Sequence, residues 1–143
     1  ERGTLYEIEE GKILQVKFDE KGLVPCITQD EQSGEILMLG FMNKEALANT
    51  IHTGLSHYYS RERKTIWRKG EKSGLTQYVK RILVDDDQDC ILIKVQVEGG
   101  ASCHVGYRSC FFRKLNTKGG TTDFTLTYLE DKKVFDPIKA YQQ

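Results

Sequence analysis

The sharpest pattern in the chain lies between residues 91 and 97, where Ile91, Ile93, Val95 and Val97 alternate with Leu92, Lys94 and Gln96. A period of two marks a half-buried strand, and Gly99-Gly100 ends it. Upstream, Lys12 to Phe18 alternates more loosely, Asp19 to Gly22 carries turn residues, and Leu23 to Thr28 and Glu35 to Leu39 read as strands around Ser33-Gly34. The period then changes. Leu47 and Ile51 stand four apart behind Asn43, a capping residue, with Glu45 near the positive end of the helix dipole and Gly54 as the stop. This predicts a helix between Asn43 and Gly54. Ser56 to Ser60, Gln77 to Val84, Tyr107 to Phe112 and Thr121 to Leu129 carry the aromatic and β-branched residues of further strands. One convincing helix among six or more strands predicts the α+β class with a mostly antiparallel sheet.

Length adds that all of this belongs to one unit. The 143 residues suffice for one core but not two, and no repeat or Pro- or Ser-rich linker divides them, so residues 1–143 are expected to form a single domain. Lys+Arg and Asp+Glu number 21 each, a net charge of zero that argues against a dedicated nucleic-acid or anionic-membrane binder. The longest nearly apolar stretch, Ile36 to Met42, is far short of the roughly 20 residues of a membrane span. The start of the sequence has no secretion-like leader, so a cytoplasmic protein with reduced thiols is expected. Its four cysteines, Cys26, Cys90, Cys103 and Cys110, are therefore read as metal ligands or packed thiols rather than as disulfides.

The zero average hides three local concentrations. From Arg61 to Lys72, six cations (Arg61, Arg63, Lys64, Arg68, Lys69, Lys72) surround the only tryptophan, Trp67, and Gly70 and Ser73-Gly74 close the run. Arg and Lys supply charge-assisted donors to phosphate, glycines let backbone amides approach it, and tryptophan stacks on a purine; a solvated loop around a packed tryptophan is the alternative. Asp85, Asp86, Asp87 and Asp89 fall within five residues. Carboxylates about 4 Å apart repel by roughly 4 kcal/mol at an effective dielectric near 20, so the segment must splay them into water or hold a cation such as Mg²⁺ among them. Finally, Cys103 with His104 beside it, and Cys110 seven residues on, offer soft ligands for Zn²⁺, although single cysteines are more commonly packed in cores. Together the three suggest metal-assisted chemistry on a phosphorylated heteroaromatic compound.

With these residues in view, the sequence from Phe18 to Phe112 resembles the phosphoribosyl-AMP cyclohydrolase family of histidine biosynthesis. The resemblance is carried by Gly22-Leu23-Val24-Pro25, Met38-Leu39-Gly40-Phe41-Met42-Asn43, Tyr58-Tyr59-Ser60-Arg61-Glu62-Arg63, Trp67, Lys69-Gly70-Glu71, Ser73-Gly74, the Asp85 to Asp89 cluster, Cys103-His104, Gly106 and Ser109-Cys110-Phe111. It implies hydrolysis of the N1–C6 bond in the adenine ring of N1-(5-phosphoribosyl)-AMP, with zinc supplying the nucleophile from water at neutral pH. His104 and His57 become candidates for general base and acid, Arg61, Lys69 and Ser73 for phosphate contacts, and Trp67 for stacking on the ring. Asp85, Asp87 and Asp89 become candidates for Mg²⁺.

The resemblance also implies an intertwined homodimer whose zinc ligands come from both chains, one cysteine of an Asp-Cys-Asp-x-Asp motif from one subunit and the two later cysteines from the other. Here that motif reads Asp85-Asp86-Asp87-Gln88-Asp89, with an aspartate in the cysteine's place. Zinc accepts carboxylate, so Asp86 is favoured as the third ligand beside Cys103 and Cys110; Cys90, four residues on and about 13 Å away along a regular strand, is the alternative. Two rival functions are weaker. A zinc nucleobase deaminase needs an H-x-E start and a P-C-x-x-C pair, and neither is present. A zinc-stabilised nucleotide- or RNA-binding module without catalysis fits the basic loop, but not the balanced charge or the absence of an RNA-module signature.

Overall fold

The computed structural model describes residues 2–98, 107–118 and 124–130. Its order is α1 (Leu5–Glu9), β1 (Val24–Asp30), β2 (Ile36–Met42), α2 (Lys44–Thr53), β3 (His57–Ser60), β4 (Thr65–Arg68), β5 (Gln77–Val84), β6 (Ile91–Val97), β7 (Arg113–Leu115) and β8 (Leu126–Tyr128). The α+β class is as expected. The main sheet has the strand order β2-β1-β6-β5, and two hairpins, β3-β4 and β7-β8, form separate two-stranded sheets. All pairings are antiparallel except β1 with β6, which run parallel at the centre.

The alternation in β6 does what its period dictates. Ile91, Ile93 and Val95 are fully buried and join Val24, Cys26, Met38 and Met42 on the inner face. Helix α2 contributes Ala46 and Leu47 to the same core. Asn43 caps it by accepting from the Ala46 amide at 2.8 Å, and Gly54 ends it in the left-handed conformation. The helix is tied to β3 through buried Thr50, whose hydroxyl donates to the Ala46 carbonyl at 2.8 Å and accepts from the His57 amide at 2.9 Å. On the other face of the sheet, Leu39, Ile27, Leu92 and Leu83 stand in register across all four strands. Leu39, at the edge of this row, is 49% exposed.

Several expectations need correction. A second helix exists, because Thr4 and Glu7 form a reciprocal capping box, a Thr-x-x-Glu signal present in the sequence. Residues 12 to 18 form no strand, since their amides are taken by a side chain and a turn carbonyl: Gln15 N–H donates to Gln88 Oε1 and Lys17 N–H to the Gln88 carbonyl. Residues 107 to 112 likewise form no strand and lie along the free edge of β2, where the Cys110 amide donates to the Leu37 carbonyl at 2.7 Å and the Ser109 hydroxyl to the Ile36 carbonyl at 2.7 Å. Thr65 to Arg68 is an unforeseen strand that turns the basic run into a hairpin, with Tyr58 opposite Trp67. The last expected strand shortens to Leu126–Tyr128 and pairs with the unforeseen β7.

One close approach fixes how the hairpin sits on the main sheet. A Cβ added to Gly40 on β2 would stand 2.6 Å from a ring carbon of Tyr58, which is 1% exposed. Gly40→Ala is therefore expected to lower the unfolding free energy by about 1–3 kcal/mol through overpacking. Urea denaturation followed by Trp67 fluorescence measures this, and unchanged stability would contradict the packing described.

Candidate functional site

The β3-β4 hairpin, the following loop and the edge of β2 enclose a cleft of about 720 Å³. Trp67 forms part of its wall, with its ring tilted against buried Tyr58 at a centroid separation of 5.2 Å. Lys69, only 6% exposed, places its ammonium 5.6 Å from the centre of the indole. Ser73 lines the loop side, where its hydroxyl accepts from the Leu75 amide at 3.2 Å. The loop's path requires Gly70: φ is +88°, and a Cβ there would lie 2.4 Å from the Thr76 nitrogen. The cleft thus brings together Trp67, Lys69, Ser73 and Cys110, four of the residues singled out in the sequence.

Arg61 is placed elsewhere. Its guanidinium lies 4.1 Å over the ring of Phe41, and it does not line the cleft. Arg63, Arg68 and Lys72 take that role with Lys69, facing Glu62 and Glu71, so four cations meet two carboxylates around the opening. The sequence carries no signal that separates them, since Arg61 and Arg63 share one basic run and the same parity. A net positive, aromatic-walled cleft accepts an anionic ring compound.

His57 begins β3 but does not line the cleft. Its Nδ1 lies 2.8 Å from the Leu55 carbonyl, which can only accept, so Nδ1 is the donor and, in the neutral ring, Nε2 is left as the acceptor. Cys103 and His104 lie outside the described residues.

The aspartates gather at the turn from β5 to β6. Asp85, Asp87 and Asp89 each offer a carboxylate oxygen within 4.8 Å of the others, a donor set whose hard oxygens fit a cation such as Mg²⁺. Asp85 Oδ1 accepts from the amides of Asp89 at 2.9 Å and Cys90 at 3.1 Å, which curls the turn. Hydrogen bonding to Asp85, then to Asp87, with their like charges adding, pushes the Asp89 carboxyl up to about 6. Asp86 stands outside this trio, exposed, with its carboxylate accepting from the Asp87 amide at 3.0 Å. The Cys90 thiol is half-buried, and burial, followed by the charges of Asp85 and Asp89, raises its pKa. Cys26 is packed in the core and pushed up to about 12 by burial, as an inert thiol should be.

The aspartate turn joins the edge strand β5 to β6, whereas Cys110 flanks the opposite edge strand β2. Three strand spacings, roughly 14 Å, separate the two edges. Within one chain the acidic trio and the cleft with Cys110 are therefore separate places, and none of the four clustered aspartates lines the cleft.

The sequence profile of the phosphoribosyl-AMP cyclohydrolase family matches residues 38–112, the stretch from the cleft residue Met38 to just past Cys110. Phosphoribosyl-AMP cyclohydrolases from Rhodopseudomonas palustris strains BisA53 and BisB18 are each 48% identical, over 136 and 139 residues, covering 95% and 97% of this chain and 92% and 94% of theirs. The one from Sinorhizobium fredii (strain NBRC 101917 / NGR234) is 48% identical over 138 residues, covering 96% of this chain and 90% of its own. The family match over residues 38–112 and relatives 48% identical along nearly the whole chain place this chain in the phosphoribosyl-AMP cyclohydrolase family.

Proposed function

We propose that this chain is the hydrolase of histidine biosynthesis that opens the adenine ring of N1-(5-phosphoribosyl)-AMP. The observation that carries the reading beyond the family name is the cleft, in which Trp67, Lys69, Ser73 and Cys110 meet. Arg63, Arg68, Lys69 and Lys72 hold the phosphates, and Trp67 stacks on the base. Water adds to C6, the C6–N1 bond breaks, the water oxygen becomes the carboxamide oxygen, one of its protons goes to the exocyclic nitrogen, and the other ends on N1. His104, next to Cys103, is the group we assign to carry that proton. His57, with Nε2 as acceptor but outside the cleft, is the second candidate. Zinc, when bound, supplies a water acidic enough to lose its proton near pH 7.

Cys103 and Cys110 would hold the zinc, and Asp86 is our third ligand. Its exposed carboxylate, outside the acidic trio, supports that choice over Cys90, whose burial disfavours the thiolate. Because the aspartate turn and Cys110 flank opposite edges of one sheet, a shared site needs a second copy of the chain. The apolar row Leu39-Ile27-Leu92-Leu83 on the outer sheet face supports a homodimer that places each aspartate turn against the other copy's cleft. Mg²⁺ at Asp85, Asp87 and Asp89 would offset substrate phosphate charge. No helix among the described residues is long and apolar enough to cross a membrane, which accords with a cytoplasmic enzyme acting on a small phosphorylated purine.

The activity is tested by following ring opening by absorbance with N1-(5-phosphoribosyl)-AMP before and after chelation. Turnover should be lost with the metal and return with added zinc, and Asp86→Ala should lose zinc while Cys90→Ala keeps it. Turnover indifferent to chelation, or zinc loss in Cys90→Ala alone, would overturn these assignments.

The acidic trio makes a separate prediction. Because the Asp89 carboxyl is raised above its unfolded value, its protonated form favours the fold; that contribution is full below about pH 4 and is lost as pH rises through about 6. A cation replaces the proton, so calorimetry should find Mg²⁺ binding tighter at about pH 7.5 than at about pH 5, and weaker on the order of tenfold in Asp87→Asn. Equal affinity at both pH values and in the variant would contradict a cation site there.

A further inference from the structure

Gln88 lies in the middle of the aspartate turn, between Asp87 and Asp89, and is only 4% exposed. Its φ is +58°, the left-handed region that a non-glycine residue adopts only when its surroundings hold it there. The main chain so turned carries Asp87 and Asp89 back toward Asp85, and the Gln88 amide closes the turn by donating to the Asp85 carbonyl at 3.1 Å.

What holds Gln88 comes from the far end of the chain. Its side-chain oxygen accepts from the Gln15 amide at 2.6 Å, and its side-chain nitrogen donates to the carbonyls of Ile8 at 2.9 Å and Ile13 at 3.3 Å. Its main-chain carbonyl accepts from the Lys17 amide at 2.7 Å. The same arm adds a hydrogen bond from the Arg2 guanidinium to the Asp87 carbonyl. All these partners precede residue 38, where the family match begins. The glutamine's carboxamide therefore spends its hydrogen bonds on the arm and none on the carboxylates it sits between.

We propose that the N-terminal arm, residues 2 to 17, is a strap that acts through Gln88 to hold Asp85, Asp87 and Asp89 at cation-binding spacing. Gln88 is a positioning residue, and arm docking and cation binding are coupled. The inference rests on the reading that the trio binds Mg²⁺. Coupling is reciprocal: if the docked arm tightens Mg²⁺ binding, bound Mg²⁺ holds the arm more firmly by the same factor.

The test is Gln88→Gly, because glycine accepts the positive φ freely and only the side-chain bonds to the arm are removed. With Mg²⁺ alone as the probe, calorimetry should show binding weakened on the order of tenfold in the variant, the range typical of groups that orient metal ligands. In the unaltered protein, saturating Mg²⁺ should slow hydrogen exchange at the Gln15 and Lys17 amides, and this slowing should vanish in the variant. Gln88→Asn, which tolerates the same φ but is one methylene too short to reach Ile8, serves as the second variant if the first fails to fold. A lowered melting temperature with unchanged Mg²⁺ affinity, and exchange indifferent to Mg²⁺, would overturn the strap. Absence of Mg²⁺ binding in the unaltered protein would instead overturn the cation reading beneath it, and the strap with it.

Discussion

A single chain of buried hydrogen bonds ties the site to the fold. Thr28 on β1 donates to the Tyr58 hydroxyl at 2.6 Å, Tyr58 donates to Gln77 Oε1 at 2.7 Å, and Gln77 Nε2 reaches Met38 Sδ at 3.4 Å. Four strands, β1, β3, β5 and β2, meet through these four side chains. Burial raises the Tyr58 pKa far enough that the hydroxyl keeps its proton and remains a donor. Leaving such a buried polar group unpaired would cost about 1–3 kcal/mol, so the network fixes where the hairpin can sit. Trp67 rests on the Tyr58 ring and Met38 lines the cleft, so the wall that would face a substrate is set by bonds made in the core.

That placement also underlies the proposal that the site is shared between two copies of the chain. The hairpin and the Cys110 segment crowd the β2 edge, while the aspartate turn ends the β5 edge, and the sheet between them cannot fold the two together. A second copy joining them would cover the outer apolar row while completing the chemistry. The arm-held Gln88 fits the same proposal: a turn that meets another chain would benefit from carboxylates already converged, since ordering done on folding need not be done on binding.

Much of this was legible in the sequence because it rested on local rules. The period of two in Ile91 to Val97 gave β6 its inward face, and Asn43 and Gly54 bounded α2. The α+β class followed from residue type and spacing, the family from its resemblance, and Trp67, Lys69 and Ser73, close together in the sequence, do line one cleft. What was missed depended on distant partners. The apolar alternation of residues 12 to 18 suggested a strand, but Gln88, some seventy positions away, claims their amides. Arg61 belongs to the same basic run as the residues that line the cleft, yet its guanidinium stacks over Phe41 while Arg63 and Arg68 line the cleft. The capping box at Thr4 is readable in the sequence, but a helix of five residues is too short for an apolar period to mark it.

We propose that the catalytic site is completed between two copies of the chain. Mixing Asp86→Ala with Cys110→Ser after partial denaturation and renaturation tests this, because each homodimer would carry only damaged sites. If the halves come from different chains, half of the randomly paired dimers hold one intact site, and ring-opening activity should return to about one quarter of the unaltered enzyme's. A mixture no more active than the two inactive variants apart would contradict the account.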